Sequence, residues 1–154
     1  CDVCPVNDLC LAHEQGREME FPVKTKAKDR RIENRTVLLF RDAEKAAIRK
    51  RPAKGLLAGM YEFPNREGHM EHDEVVEYGK SLGLTPIRIR RLGNAKHIFS
   101  HVEWHMTGYE ILVDELEKNM TAAKRKKNGI IFAGIRQLQE EYPMPAAFEA
   151  YMPK

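Results

Sequence analysis

Past Cys10 the sequence has no cysteine: all three thiols sit at positions 1, 4 and 10, and the following 144 residues carry none. A disulfide scaffold would spread an even number of cysteines through the fold, so that class is excluded. Long apolar runs are missing too. Nothing approaches the roughly 18 residues that cross a bilayer, and the opening Cys1-Asp2-Val3-Cys4 has neither the basic nor the apolar stretch of a secretory leader. A soluble chain with no membrane partner is expected. Charge of one sign is also scarce: 26 Lys and Arg against 23 Asp and Glu leave +3, so only local clustering would point to a polyanion. What remains is globular material, 42% hydrophobic and 32% charged over 154 residues. That suffices for one domain with a short appendage, since chains of about 150 residues hide roughly two-thirds of the surface their unfolded form exposes.

The spacing Cys1-x2-Cys4-x5-Cys10 is tight and local, which suits a soft metal or an iron–sulfur cluster held by thiolates. Both want four ligands, so the chain reads as beginning inside a metal motif. A zinc site completed by His13, or three unpaired thiols, are the other readings. After Phe21-Pro22 come Lys24, Lys26, Lys28, Arg30, Arg31 and Arg35 against Asp29 and Glu33, with almost no apolar periodicity. This predicts an extended connector, either solvated or laid as a strap on phosphates.

From Thr36 the texture changes. Val37-Leu38-Leu39-Phe40 suits a strand buried on both faces, Asp42-Ala43-Glu44 a turn, and Lys45-Ala46-Ala47-Ile48-Arg49 a returning partner. Residues 55–64, glycine-flanked and closed by Pro64, predict a loop leading into a short strand. Apolar positions recur at helical spacing over 71–82, with Glu71, Asp73 and Glu74 in the first turn and Gly83 after the last. Ile87 and Ile89 alternate with Arg88 and Arg90, the period of a one-sided strand. Val102, Trp104 and Met106 alternate as core positions, but Tyr109, Ile111 and Val113 continue on the opposite parity, which predicts a bulge at Gly108. Lys124-Arg125-Lys126-Lys127-Asn128-Gly129 reads as a basic loop or hairpin tip, Ile130-Ile131-Phe132-Ala133 as a last strand, 135–142 as a short helix, and Ala146 to Tyr151 as a terminal helical turn. The expected class is α+β, a mixed sheet flanked by short helices.

These residues carry a family resemblance. Cys1-x2-Cys4-Pro5-x4-Cys10 resembles the last three ligands of the iron–sulfur motif in the endonuclease III and MutY group of DNA glycosylases. Arg51-Pro52-x2-Gly55-Leu56-Leu57-Ala58-Gly59-x-Tyr61-Glu62-Phe63-Pro64 and His97-Ile98-Phe99-Ser100-His101-x2-Trp104 are similar to two segments of the C-terminal domain of MutY-type adenine glycosylases. The resemblance covers essentially the whole chain. It implies residues 1–20 as the end of an iron–sulfur region, 21–35 as an interdomain connector, and 36–154 as a Nudix-like lesion-recognition domain. It further implies an A/G-specific adenine glycosylase of base excision repair as the parent enzyme, acting inside the cell, and the short connector favours a bacterial one. The expected partner is duplex DNA with 8-oxoguanine opposite adenine, bound by a monomer. A [4Fe-4S] cluster would belong to the full-length protein and not to this chain alone, with Cys1, Cys4 and Cys10 as ligands. No catalytic residue is expected within 1–154.

Two other functions stay open: a free-standing Nudix pyrophosphohydrolase acting on oxidised nucleotides, and a protein-interaction module. A hydrolase needs clustered carboxylates to hold Mg²⁺ beside a diphosphate. Aligning the Nudix signature on Gly83-Leu84 keeps Glu77 but puts Lys80 and Ser81 where adjacent glutamates belong. For lesion reading, oxidation turns the N7 acceptor of guanine into an N–H donor and adds an oxygen at C8. A serine hydroxyl both donates and accepts, so Ser100 is the expected reader, with Phe99 and His101 positioning it. Arg49 and Arg51 in one basic cluster and Arg88 in another are candidate phosphate contacts. The plainer alternative makes Phe99 a core residue and His97 and His101 ordinary strand-end histidines.

Overall fold

In the computed structural model, which describes residues 1–24 and 29–153, the chain opens with a segment that buries nothing. Short 3₁₀ turns at Asn7–Leu9 and Glu18–Glu20 flank helix α1 (Leu11–Glu14), and Val3, Leu9, Leu11 and Met19 stay in solvent. Lys26 and Lys28 of the expected connector lie outside the described residues. Its last residues are not connector: strand β1 spans Arg31–Arg41 and pairs in parallel with a later strand from its first residue onward. The alternation Arg31, Glu33, Arg35 is therefore a strand period.

The chain then folds into a mixed sheet. Strand β2 (Lys45–Lys50) returns antiparallel to β1, and short β3 (Tyr61–Glu62) extends β2. A further short strand, β4 (Asn65–Glu67), which the sequence reading did not foresee, pairs with β1. Helix α2 (His72–Ser81) follows, its first turn closed by the Glu71 N–H donating to the Glu74 carboxylate at 2.7 Å. Strand β5 (Pro86–Ile98) runs antiparallel to β6 (Val102–Val113), and β6 lies beside β1. Short α3 (Leu116–Asn119) and α4 (Ala122–Asn128) lead into β7 (Ile130–Gly134), which pairs with β2; α5 (Gln137–Glu140) and a 3₁₀ segment at Ala146–Tyr151 complete the described chain. The order β3-β2-β1-β6-β5 gives the expected α+β class.

Two expectations are corrected. The Lys124–Lys127 stretch is helical: Thr121 Oγ1 accepts the Lys124 N–H at 3.4 Å, and Gly129 takes the left-handed conformation, φ 63°, that ends a helix. Charge density favours a solvated tip, but lysine and arginine are good helix formers. The second correction concerns Gly108. Strand β6 runs unbroken through it, and the irregularity lies opposite, in β5, where Gly93 and Asn94 face Thr107. The change of parity arises because β6 is central and buried on both faces. Val102, Trp104 and Met106 meet Phe148 and Tyr151 on one side, whereas Tyr109, Ile111 and Val113 meet Val75, Leu82 and Leu84 on the other. Gly108 is small for a packing reason: a Cβ there would stand 2.3 Å from the Tyr151 ring.

Candidate functional site

The antiparallel pairing of β5 and β6 leaves only two residues to turn the chain, Ser100 and His101. Ile98 faces Glu103, and the Phe99 N–H donates to Val102 O at 2.8 Å, closing the turn. Ser100 and His101 are exposed at its tip, with Ser100 Oγ 3.0 Å from His101 Nδ1. Two backbone-directed bonds tie the turn to the start of β1. Arg30 Nε donates to Phe99 O at 3.1 Å, and the Arg31 N–H donates to His101 O at 3.2 Å.

Beneath the turn lies an aromatic and ionic platform. Phe99 is half-buried, its ring 5.0 Å from that of Trp104 in an edge-on arrangement and 4.7 Å from that of His97. Phe99 is thus both a packing residue and part of the turn. Trp104 is fully buried and donates its Nε1–H to Glu33 Oε2 at 3.0 Å. Arg35 stacks over the indole at 4.4 Å and Arg51 at 5.6 Å. Glu33 also accepts from Arg35 at 2.8 Å, and that guanidinium bond holds its carboxyl below the usual range. A second carboxylate, buried Glu62, accepts from Arg49 at 2.7 Å, from Arg51 and from Asn65 Nδ2 at 3.0 Å. The segment that runs from Arg51 to Pro64 therefore closes on itself through an ion pair behind Trp104.

The structure brings Phe99, Ser100 and His101 together and sets Arg51 on the same platform. Arg49 and Arg51 spend their charge on Glu62, inside the network. Arg88 is not part of this assembly: it is exposed at the far end of β5, roughly 30 Å from the turn at about 3.3 Å per strand residue. Sequence reading missed Arg30, Glu33 and Arg35, which hold the turn and its platform. The signal was present as the period-two charge pattern 31-33-35, hidden by treating those residues as connector.

The three thiols do not fit an iron–sulfur cluster by themselves. Cys1 and Cys4 are exposed and Cys10 half-exposed, three ligands where such clusters take four. Among the described residues, ligand atoms of Cys1, His13 and Glu18 lie within 4.8 Å of one another. The acids of α2 form no such group; Glu77 instead pairs with Lys80 at 3.0 Å. No helix among the described residues is long and apolar enough to cross a membrane.

The family described as NUDIX domain matches residues 35–154, and the chain belongs to it. An adenine DNA glycosylase of Mus musculus is 36% identical over 72 residues, 43% of this chain and 14% of that protein. One from Schizosaccharomyces pombe is 25% identical over 156 residues, 66% of this chain and 33% of that protein. The chain thus spans a third or less of these relatives. Among solved structures, the C-terminal domain of mouse MUTYH, in complex with human PCNA, superposes with a TM-score of 0.59 at 18% identity, over 77% of this chain and 84% of that one. A MutT Nudix hydrolase from Burkholderia pseudomallei gives 0.54 at 14% identity, over 80% and 99%. These two likenesses show the fold.

Proposed function

We propose that this chain is the lesion-reading portion of an adenine DNA glycosylase, recognising 8-oxoguanine opposite adenine so that a separate catalytic region removes the adenine inside the cell. The observation that carries this is the exposed Ser100 hydroxyl, fixed on a two-residue turn beside His101 Nδ1. When that nitrogen accepts the hydroxyl proton, the serine lone pairs face outward. They accept the N7–H of 8-oxoguanine and oppose the N7 lone pair of guanine. Phe99 on Trp104, with Arg30 on the Phe99 carbonyl, keeps the hydroxyl in place. The names of the relatives support the same reading.

Removing one specific hydrogen bond costs about 1–1.5 kcal/mol, close to tenfold. Ser100→Ala in the glycosylase is therefore expected to lower its preference for 8-oxoguanine over guanine opposite adenine by about tenfold, measured by binding to paired duplexes. An unchanged preference overturns the assignment. Cys1, Cys4 and Cys10 are read as cluster ligands only where a longer chain supplies the fourth.

Family membership favours one second reading, a Nudix hydrolase. The Glu77–Lys80 pair argues against it, because an ammonium beside the remaining glutamate of the signature repels a divalent cation. Mg²⁺-dependent hydrolysis of 8-oxo-dGTP by this chain would restore it.

A further inference from the structure

The two faces of the sheet differ at the Ser100 end. One is sealed by Trp104, Phe99, Arg35 and Arg51, with Leu56 and Leu57 packed against the same cluster. The other is open. The register places Ile32, Glu103 and Ile98 in one row across β1, β6 and β5, and Asn34, His105 and Lys96 in the next. Paired residues of neighbouring strands project from the same face. Ile32 is 59% exposed and Ile98 51%, an unusual state for two isoleucines flanking a carboxylate on one sheet. Both belong to long strands whose further halves are packed by α2 and α3, so the exposure is local.

The polar groups between them are ordered for an anion. Glu103 is engaged from two sides, by Lys96 Nζ at 2.7 Å and by His105 Nε2 at 2.6 Å. Its charge and that of Lys96 balance within the face, while the ammonium and imidazole keep open sides for hydrogen bonds to an anion. One rung deeper, buried Thr107 leaves its Oγ1 without a partner beneath the irregular part of β5. Arg30, bonded through Nε to Phe99 O, adds a second cation at the rim.

The geometry points to this open face as the seat of the DNA strand that carries the lesion: Lys96, His105 and Asn34 contact its phosphodiesters, and Ile32 and Ile98 pack on its sugars. The inference rests on the Ser100 reading, because the turn that would hold the base is the edge of the same face. The scale agrees. Neighbouring strands lie about 4.8 Å apart and successive same-face rows about 7 Å, so the patch measures roughly 10 Å by 7 Å. That is about two or three nucleotides at about 3.4 Å per nucleotide of one strand. A cation-bearing face with a neutralised carboxylate suits a polyanion better than a protein segment, which would need the isoleucines to form a deeper apolar groove.

The test titrates the ¹⁵N-labelled chain with a short duplex holding 8-oxoguanine opposite adenine and follows amide shifts. Shifts at positions 32, 34, 96, 98, 103 and 105 together with 100 and 101 are expected, while the far end of β5 around Arg88 stays silent. Lys96→Gln should reduce the slope of log affinity against log salt by about 0.9 on damaged and undamaged duplex alike. Ile98→Glu, with an unchanged melting temperature as the control for folding, should weaken both duplexes about tenfold without altering their ratio. Ser100→Ala should alter the ratio alone. If Ser100→Ala removes the lesion preference while Lys96→Gln and Ile98→Glu leave affinity and salt slope untouched, the face is not the seat and the reading of Ser100 stands. Shifts confined to the Arg88 end overturn the inference. No shift anywhere at millimolar duplex overturns both claims, and so leaves the face to a protein partner.

Discussion

Ser100 and His101 occupy a hairpin turn with no spare residue, and that shortness converts a flexible hydroxyl into a directed one. His101 sits one residue away with Nδ1 at 3.0 Å, so in the tautomer that leaves this nitrogen unprotonated the hydroxyl proton has a local acceptor and the lone pairs are left for a ligand. Gly108 and Tyr151 show the opposite use of a small residue, as space for a ring. An added methyl at Gly108 would meet the Tyr151 ring at 2.3 Å and 2.5 Å. Gly108→Ala is accordingly expected to destabilise the chain by about 1–3 kcal/mol in urea unfolding. Adding Tyr151→Leu to it should recover part of that loss, a non-additivity expected of residues in contact.

At the scale of elements, most of the fold was legible because hydrophobic period and turn chemistry agreed. The β1–β2 hairpin was readable from its apolar run and from Asp42, whose carboxylate accepts the Glu44 and Lys45 N–H groups at 2.9 and 2.7 Å. Helix α2 was readable from its acidic first turn. Other elements were not, α4 among them. The front of β1 was hidden because its outward residues, Ile32 and Asn34, share no polarity and its inward ones, Glu33 and Arg35, are polar residues satisfied by Trp104 and Asn65, contacts far away in sequence. The true path of β6 was hidden because two layers cover its faces at different points along its length. Strand β4 is three residues long, too short for any period, and is held by tertiary bonds. Thr36 Oγ1 donates to Gly68 O and accepts the Met70 N–H, both at 2.8 Å, so it fastens the segment between β4 and α2. Thr36→Val leaves a part-buried amide and a carbonyl without their partner, and should cost about 1–3 kcal/mol by chemical denaturation. Of the candidate site, the turn residues were legible only through the family resemblance, since nothing local distinguishes Ser100 from any other serine. The partners of Arg49 and Arg51 were invisible because Glu62 meets them through β-pairing.

For the molecule as a whole, three carboxylates tie stability to pH. Burial opposes ionisation of Asp42, but the N–H groups of Leu116, Lys45 and Glu44 overcome it and hold its pKa below the ordinary value. Burial likewise opposes the charge on Glu110, and Arg41 and Arg90 reverse the balance. Glu33 is lowered first by its bond from Arg35. Groups depressed in the folded state bind protons more readily when unfolded, so their contribution is present above about pH 4 and is lost as pH falls through their lower folded values. Melting temperature should therefore fall on acidification below about pH 4, and Asp42→Asn should flatten that fall. The larger claim is that a member of the Nudix family serves here as a sensor of damaged purine, with the N7 proton as the feature sensed. Its most direct test compares binding to duplexes holding 8-oxoguanine and 8-methoxyguanine opposite adenine, since the methoxy base keeps an oxygen at C8 but regains the N7 lone pair. The account predicts about tenfold weaker binding to the methoxy duplex, a difference that Ser100→Ala abolishes. Equal binding of the two duplexes by the unaltered protein would contradict it.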